Sequence, residues 1–224
     1  MSVRVPRPLH GWRVFLGEVG IIVLGVLLAL GAQQLVEDWH WRGDVAEFRA
    51  SVRDEIEHDL WTYPFRAQQK GCIERRLDEL QRWLDGWRGG RPARLTGPIG
   101  IPASLVIYTS AWDSRDAATL SHMPRAEVLG YGDLYSEFAN SEVHRLDERA
   151  AWIELASFDG VTELTHEDQM KLQGLISRAR LRDMRIDSNY ARFAKRAARI
   201  GLHPVAIDDT APIDPAICKA VLRR

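Results

Sequence analysis

Two Glu-x-x-His pairs are the residues of this chain whose types and spacing could do chemistry. Glu55 and His58 form one pair, and Glu163 and His166 form the other. The same spacing supplies ligands in carboxylate-bridged di-iron bundles, where both pairs face inward and two further helices each add a Glu. Glu163 precedes Thr165, a predicted helix N-cap, so its pair falls at a helix end. We interpret both pairs as solvated surface residues and expect no metal and no cofactor, with a carboxylate-bridged metal enzyme as an alternative.

No other catalytic signature is present. The sequence has no GxSxG, no Walker loop and no GxGxxG, and its seven histidines are scattered. The net charge of −1 gives no electrostatic argument for nucleic acid. We therefore expect a chain that is not an enzyme and does not bind nucleic acid.

Residues 14–36 have the length and composition of a transmembrane helix. Their one charged residue is Glu18, and about 20 helical residues at ~1.5 Å each cross the ~30 Å hydrocarbon layer of a bilayer. Trp12 and Trp39 flank the run, as expected of side chains that prefer the headgroup region. The sequence predicts a single-pass anchor in a lipid bilayer.

Charges beside the apolar run predict its orientation. Arginines precede the run and mostly acidic residues follow it, so the positive-inside rule places residues 1–13 in the cytoplasm. Residues 37–224 then lie on the far side, which in a bacterium is the periplasm. The alternative is a cleaved signal peptide with its site near Ala29-Leu30-Gly31, although the apolar run exceeds the usual ~7–15 residues. The charges concerned are Arg4, Arg7 and Arg13 before the run, and Glu37, Asp38, Asp44 and Arg42 after it.

Glu18 has two interpretations. An ionisable group inside a membrane helix is costly, which suggests contact with a second membrane helix. Alternatively, its carboxylate reaches the cytoplasmic headgroups. Gly25 and Ala29 form a small-xxx-small step that permits close helix packing, so they join Glu18 as candidate contacts for an intramembrane partner.

The anchor carries a resemblance. The stretch from Gly11 to Leu30, GWRVFLGEVGIIVLGVLLAL, resembles a group of uncharacterised, single-span bacterial membrane proteins that begin with a similar Glu-containing anchor. The resemblance covers about thirty residues. It implies a Gram-negative inner-membrane protein with a helical periplasmic portion, and it brings no activity with it.

The two cysteines, Cys72 and Cys218, are predicted to form a disulfide. Both fall in the part of the chain that the charge pattern places in an oxidising compartment, and neither has CxxC or Cys/His metal-ligand spacing. The alternative is two buried thiols that pack as small hydrophobic side chains. A disulfide would tie the C-terminal tail to an early helix.

The remaining sequence is helical in pattern. Apolar residues continue at helical spacing from the anchor to Tyr63, and Pro64 is expected to end that helix. A second helix follows directly and ends at Gly89-Gly90, before a glycine- and proline-rich connection over 88–108. The apolar second half of that connection is expected to lie over the core or touch lipid. Further helices are predicted over 110–122, 125–158 and 165–200, with an extended tail over 202–211 and a short helix from Asp214.

No strand alternation persists, so we predict an all-α fold in which the transmembrane helix continues into an antiparallel bundle of about four helices. On the helix over 125–158, one apolar face is expected to point inward. That face comprises Leu134, Phe138, Leu146, Ala150 and Ile153.

The first long helix is acidic and the last long helix is basic. The simpler interpretation makes the two helices neighbours whose charges set the pairing, with about 0–1 kcal/mol from each exposed pair. The alternative makes the basic helix a docking face for phospholipid headgroups or an acidic partner.

These observations favour a membrane-anchored periplasmic helical domain that acts through protein partners, as an accessory subunit or a scaffold. A small-ligand sensor bundle is the alternative, and it requires a polar cavity inside the bundle.

Overall fold

The computed structural model describes residues 12–91, 93–206 and 213–222, and within these ranges the chain is all-α, as predicted. Most of the predicted cytoplasmic tail, residues 1–13, and the second half of the extended tail, residues 207–212, lie outside the described residues. The helices are α1 (Trp12–Ala67), α2 (Lys70–Arg88), α3 (Ser110–Asp113), α4 (Ala117–Ser121), α5 (Arg125–Ala156), α6 (His166–Arg199) and α7 (Pro215–Cys218).

The chain divides into two units, residues 1–47 and residues 48–224. In the first unit, the apolar part of α1 is the one segment among the described residues that is long and apolar enough to cross a membrane. The side chains of residues 15–40 are exposed. A long exposed apolar helix is stable when lipid covers it, because all its backbone hydrogen bonds are internal. The segment thus has the properties of a single membrane anchor.

The second unit begins at residue 48. Its four long elements are the last part of α1 with α2, α5 and α6. Tyr63 of α1 meets Ser141 of α5, and Arg66 of α1 meets Asp183 of α6. Together with the Arg49–Glu127 pair, these contacts show α1 running parallel to α5.

Helix α6 runs antiparallel to the other three long helices. Successive contacts along it join Asp147 of α5 to Arg182, Asp78 of α2 to Arg180, and Gln81 of α2 to Gln173. The end of α1 and the whole of α2 therefore lie one after the other along α6.

The core follows this arrangement. Beside α1, rings from three helices pack together: Tyr63 lies 5.2 Å from Tyr190 and 5.4 Å from Phe193 between ring centres, and Phe193 lies 5.9 Å from Phe138. Beside α2, the core consists of apolar side chains from α2, α5, α6 and α7. Its members include Trp83, Trp152, Ile73, Leu77, Leu80, Leu84, Leu155, Leu172, Ile176 and Ile217 from these helices, together with Ile99 and Phe158 from the connections.

Pro64 does not end α1, contrary to the prediction, because the helix continues to Ala67. A proline removes one backbone donor and disturbs the turn before it. The residues just beyond it are buried, with Phe65 at 4% exposure and Arg66 at 7%. Burial of these two side chains offsets the loss of one hydrogen bond so close to the helix end.

The predicted helix over 110–122 is two short helices, α3 and α4. Asp116 separates them, because its carboxylate accepts a hydrogen bond from the backbone N–H of Thr119 at 2.8 Å and caps α4. The predicted start of α6 is confirmed, since Thr165 and Asp168 form a reciprocal capping box. Gly201, with φ of 74°, follows its end.

The inward face predicted for α5 is only half right. Leu134 and Phe138 are buried, but Leu146 is 51% exposed and Ile153 is 50% exposed, and Ala150 is exposed too. Toward its C-terminal end, α5 instead buries Glu148, Ala151, Trp152 and Leu155. An ion pair between Glu148 and Arg66 sets this face, and apolar spacing alone could not reveal it.

Candidate functional site

The structure does not gather the two Glu-x-x-His pairs, which the sequence offers only as an alternative metal site, into one cluster. Both oxygens of Glu55 accept hydrogen bonds: Oε2 from the Ser110 hydroxyl at 2.7 Å, and Oε1 from the Tyr135 hydroxyl at 2.7 Å. The ring of His58 packs against Tyr108 instead. The second pair, Glu163 and His166, is exposed where α6 begins. Among the described residues, no group of three or more His, Cys, Asp or Glu side chains could hold a metal ion.

Asp59 is the buried acid of α1 that sequence reasoning missed. Its Oδ1 accepts a hydrogen bond from the backbone N–H of Tyr108 at 2.9 Å, and its Oδ2 is buried with no hydrogen-bond partner among the described residues. Burial raises the pKa of Asp59 to about 8, and the nearby carboxylates of Glu55 and Glu142 act in the same direction. The side chain is therefore protonated at neutral pH.

Arg66 carries a buried ion network that joins three helices. Its Nη2 donates to Glu148 of α5 and, at 2.9 Å, to Asp183 of α6. All three side chains are less than 10% exposed. Removing one member of a buried ionic group leaves the others unpaired, so such networks fix the register of the helices that carry them.

A small cavity lies beside this network. The segment Ser104–Ile107 covers it, and Arg145 of α5 donates to the Ser104 hydroxyl at 3.1 Å across its rim. The space open to the centre of a water molecule is about 30 Å³, which suits one or two water molecules. The remaining lining residues are Thr62, Tyr63, Arg66, Leu105, Ser141, Glu148 and Ile186.

The C-terminal segment is held on α2 by a disulfide and by Arg76, which we call the C-terminal clamp. Cys72 and Cys218 are joined, as predicted, with their Cα atoms 4.6 Å apart. Arg76 is 1% exposed and donates to Pro98 O and Ala216 O, both at 2.8 Å.

Three further contacts complete the clamp. The Arg76 guanidinium also donates to the carbonyls of Ile99 and Lys219, and its Nε lies 3.3 Å from Glu79. Burial lowers the pKa of Arg76, with Glu79 opposing that effect. One guanidinium thus joins two carbonyls of the connection after α2, those of Pro98 and Ile99, to two carbonyls of the C-terminal segment, those of Ala216 and Lys219.

The clamp also explains the apolar connection over 88–108. Ile99 is fully buried, and Gly100 lies so close to α7 that an added Cβ would be 2.9 Å from Ile217 N. This part of the connection lies over the core, which is one of the two predicted alternatives. Beyond it, Val106 is 52% exposed and Tyr108 is 47% exposed.

The basic residues of α6 mainly pair with α5 and α2. Arg178 and Arg182 both bind Asp147 of α5, and Arg180 binds Asp78 of α2 at 2.9 Å. Hydrogen bonds from the two arginines lower the pKa of Asp147 to about 2. Helices α1 and α6 do touch, as predicted, but their Arg66–Asp183 ion pair has the opposite polarity to the one expected.

An exposed apolar row on α5 is the most unusual surface of the second unit. We call it the α5 seam; Val143 is 63% exposed, Leu146 51% and Ile153 50%. The residues recur at steps of four and three along four helical turns, which is the spacing of a and d positions in a coiled coil. Single exposed apolar side chains are ordinary, whereas a contiguous row marks an interaction surface. The seam comprises Ala139, Val143, Leu146, Ala150 and Ile153.

The candidate contacts for an intramembrane partner are all exposed on α1. Glu18 lies on α1 within the apolar segment, and it is exposed together with Gly25 and Ala29. A Cβ added at Gly25 would meet nothing within 4 Å. Gly25 and Ala29 place no bulky side chain on this part of α1, so a second membrane helix could pack closely against it.

No family model, no curated protein and no solved structure matches this chain. The class that the fold defines is an α-helical domain carried by one candidate membrane anchor.

Proposed function

We propose that this chain is a single-pass inner-membrane protein whose periplasmic helical domain acts through protein partners, as an accessory subunit or scaffold. The observation that carries the proposal is the α5 seam, an apolar row that the fold leaves uncovered. Burying a Leu or Val side chain contributes about 1.5–3 kcal/mol. A partner that covers the seam would gain this free energy.

The location rests on the sequence. The arginines before the apolar segment and the acids after it support a cytoplasmic N-terminus, and the anchor resembles those of Gram-negative inner-membrane proteins. A Cys72–Cys218 disulfide fits a periplasmic domain. Alkaline phosphatase fused after Arg224 should be active, whereas a reporter that requires the cytoplasm should be inactive there. The opposite pattern, or a mature N-terminus near Ala32, would refute this topology.

Photo-crosslinking tests the partner directly. A photoreactive amino acid at Leu146, in the full chain in intact membranes, should yield a protein adduct after irradiation. The matched control is Ser177, which is exposed on α6 outside the seam. We expect no comparable adduct at Ser177. Absence of an adduct at Leu146, or equal labelling of both positions, would contradict the proposal.

A small-ligand sensor is the second candidate, and the cavity beside Arg66 is the observation that favours it. Its Nη1 is buried and has no hydrogen-bond partner among the described residues. The space of about 30 Å³ limits an occupant to one or two water-sized groups unless Ser104–Ile107 moves. If the chain is a small-ligand sensor, substituting Arg66 should alter its response to the ligand. The same substitution should leave photo-adduct formation at Leu146 unchanged.

A further inference from the structure

Resting on the proposed function, we infer that the partner of the α5 seam is the α5 seam of a second copy of this chain, in a parallel two-stranded coiled coil. The inference starts from the pattern of the seam. Val143 and Ala150 occupy a positions, and Ala139, Leu146 and Ile153 occupy d positions. At the centre of the seam, Val143 at a and Leu146 at d form the combination that favours two parallel helices.

The parallel arrangement places equivalent residues opposite each other. In a parallel, in-register coiled coil with a twofold axis along its length, each residue of the seam meets its own counterpart. Val143 lies against Val143 of the second copy, and Leu146 against Leu146.

One of the two charged g–e pairs beside the seam is complementary in this register. In a parallel coiled coil, a g position faces the e position five residues later on the other strand. Arg149 occupies g, is exposed, and has no ion-pair partner within the described part of the chain. Glu154 occupies e with a side chain 43% exposed, and its pairs with Lys171 and Arg178 are long, at 3.7 and 3.8 Å. Arg149 of one copy can therefore pair with Glu154 of the other.

The other g–e pair in this register joins two acids, Glu142 and Asp147. Each already has its own counter-charge: Arg145 binds Glu142, while Arg178 and Arg182 bind Asp147. Placing Glu142 of one copy beside Asp147 of the other therefore leaves neither carboxylate without a counter-charge.

The seam spans only two heptads, fewer than the three or four that mark an independent coiled coil. Confinement to one membrane raises the effective concentration of the two domains, as linking does for any pair of binding modules. The open small-residue step at Gly25 and Ala29 would allow the anchors themselves to approach. Association should therefore depend on the full, anchored chain.

Engineered cysteines test the inference in intact membranes. The native cysteines are paired with each other, so each variant carries one free thiol. Val143→Cys and Leu146→Cys should each give a disulfide-linked species of twice the chain mass under mild oxidation. Ser177→Cys, exposed on α6, should stay at background. Self-linking at Ser177, or none at both seam positions, would overturn the inference.

Charge exchange tests the register. Arg149→Glu should reduce linking through Val143→Cys several-fold, and adding Glu154→Arg should restore it. A reduction without restoration would overturn the parallel register.

If Leu146 yields a photo-adduct only with a different protein, the second-copy inference fails and the proposed function stands. If Leu146 yields no adduct, both fail.

Discussion

Replacing Arg76 should destabilise the second unit far more than replacing its neighbour Arg75. Arg76 is 1% exposed and donates to four carbonyls, two in the connection after α2 and two in the C-terminal segment. Arg75 is exposed, and its contact with Cys218 O is 3.3 Å long. Both residues are arginines on the same turn of α2, so they differ in burial and contacts but not in side-chain type. They therefore form a matched pair for substitution.

The magnitude follows from what Arg76→Met leaves behind. Removing one partner of a buried ion pair costs about 3–5 kcal/mol, and here Glu79 would lose its guanidinium while four carbonyls lose a donor. For a chain of this size, that loss lowers Tm by roughly 6–20 °C. Arg75→Met removes two exposed contacts, with Cys218 O and with the Cys72 sulfur, and should cost at most about 1 kcal/mol.

The assay is urea unfolding of the full chain in detergent, with the loss of helix monitored by circular dichroism. Arg76→Lys should fall between the wild type and Arg76→Met, because one ammonium keeps the charge but cannot reach both loops in a fixed fork. If the two Met variants unfold within about 1 kcal/mol of each other, then Arg76 does not hold the C-terminal segment as described.

Three further predictions concern other polar residues. Asp59→Asn should flatten the pH dependence of stability between about pH 4 and 8, because the folded chain keeps a proton that the unfolded chain loses; parallel melting profiles would contradict this. Asp147→Asn should lower Tm at neutral pH. The Tm difference between wild type and variant should shrink as pH falls from about 4 to 2, because the wild-type carboxylate then gains a proton. The same difference should also shrink in high salt. A constant difference would mean that its ion pairs with Arg178 and Arg182 do not matter. Glu18→Gln should weaken crosslinking between membrane helices without changing helical content; undiminished crosslinks would place Glu18 at the headgroups.

The helices themselves were predictable because their signals are local. Apolar periodicity, the Thr165 capping box and the glycines after α2 and α6 all act within one or two turns. The disulfide was predictable from the number of cysteines and from the side of the membrane that the charge pattern predicts for them. Pro64 was misjudged, because burial of Phe65 and Arg66 depends on residues distant in sequence.

The buried arginines could not be predicted in the same way. Arg66 finds Asp183 and Arg76 finds Ala216 across more than one hundred residues, and long charged side chains are exposed in most proteins. The α5 seam shows the reverse error. The sequence predicts three of its residues, Leu146, Ala150 and Ile153, to point inward, because apolar spacing cannot distinguish a face buried within the fold from one left exposed.

Thiol accessibility in membranes tests the central claim, that the seam is covered by a protein partner, most directly. Leu146→Cys and Ser177→Cys occupy exposed positions on α5 and α6 in the isolated chain. With a membrane-impermeant maleimide added to intact membranes, Leu146→Cys should react several-fold more slowly than Ser177→Cys. Both should react at the same rate after dilution in detergent. Equal rates in the membrane would contradict the account, because the seam would then be open to water where the protein works.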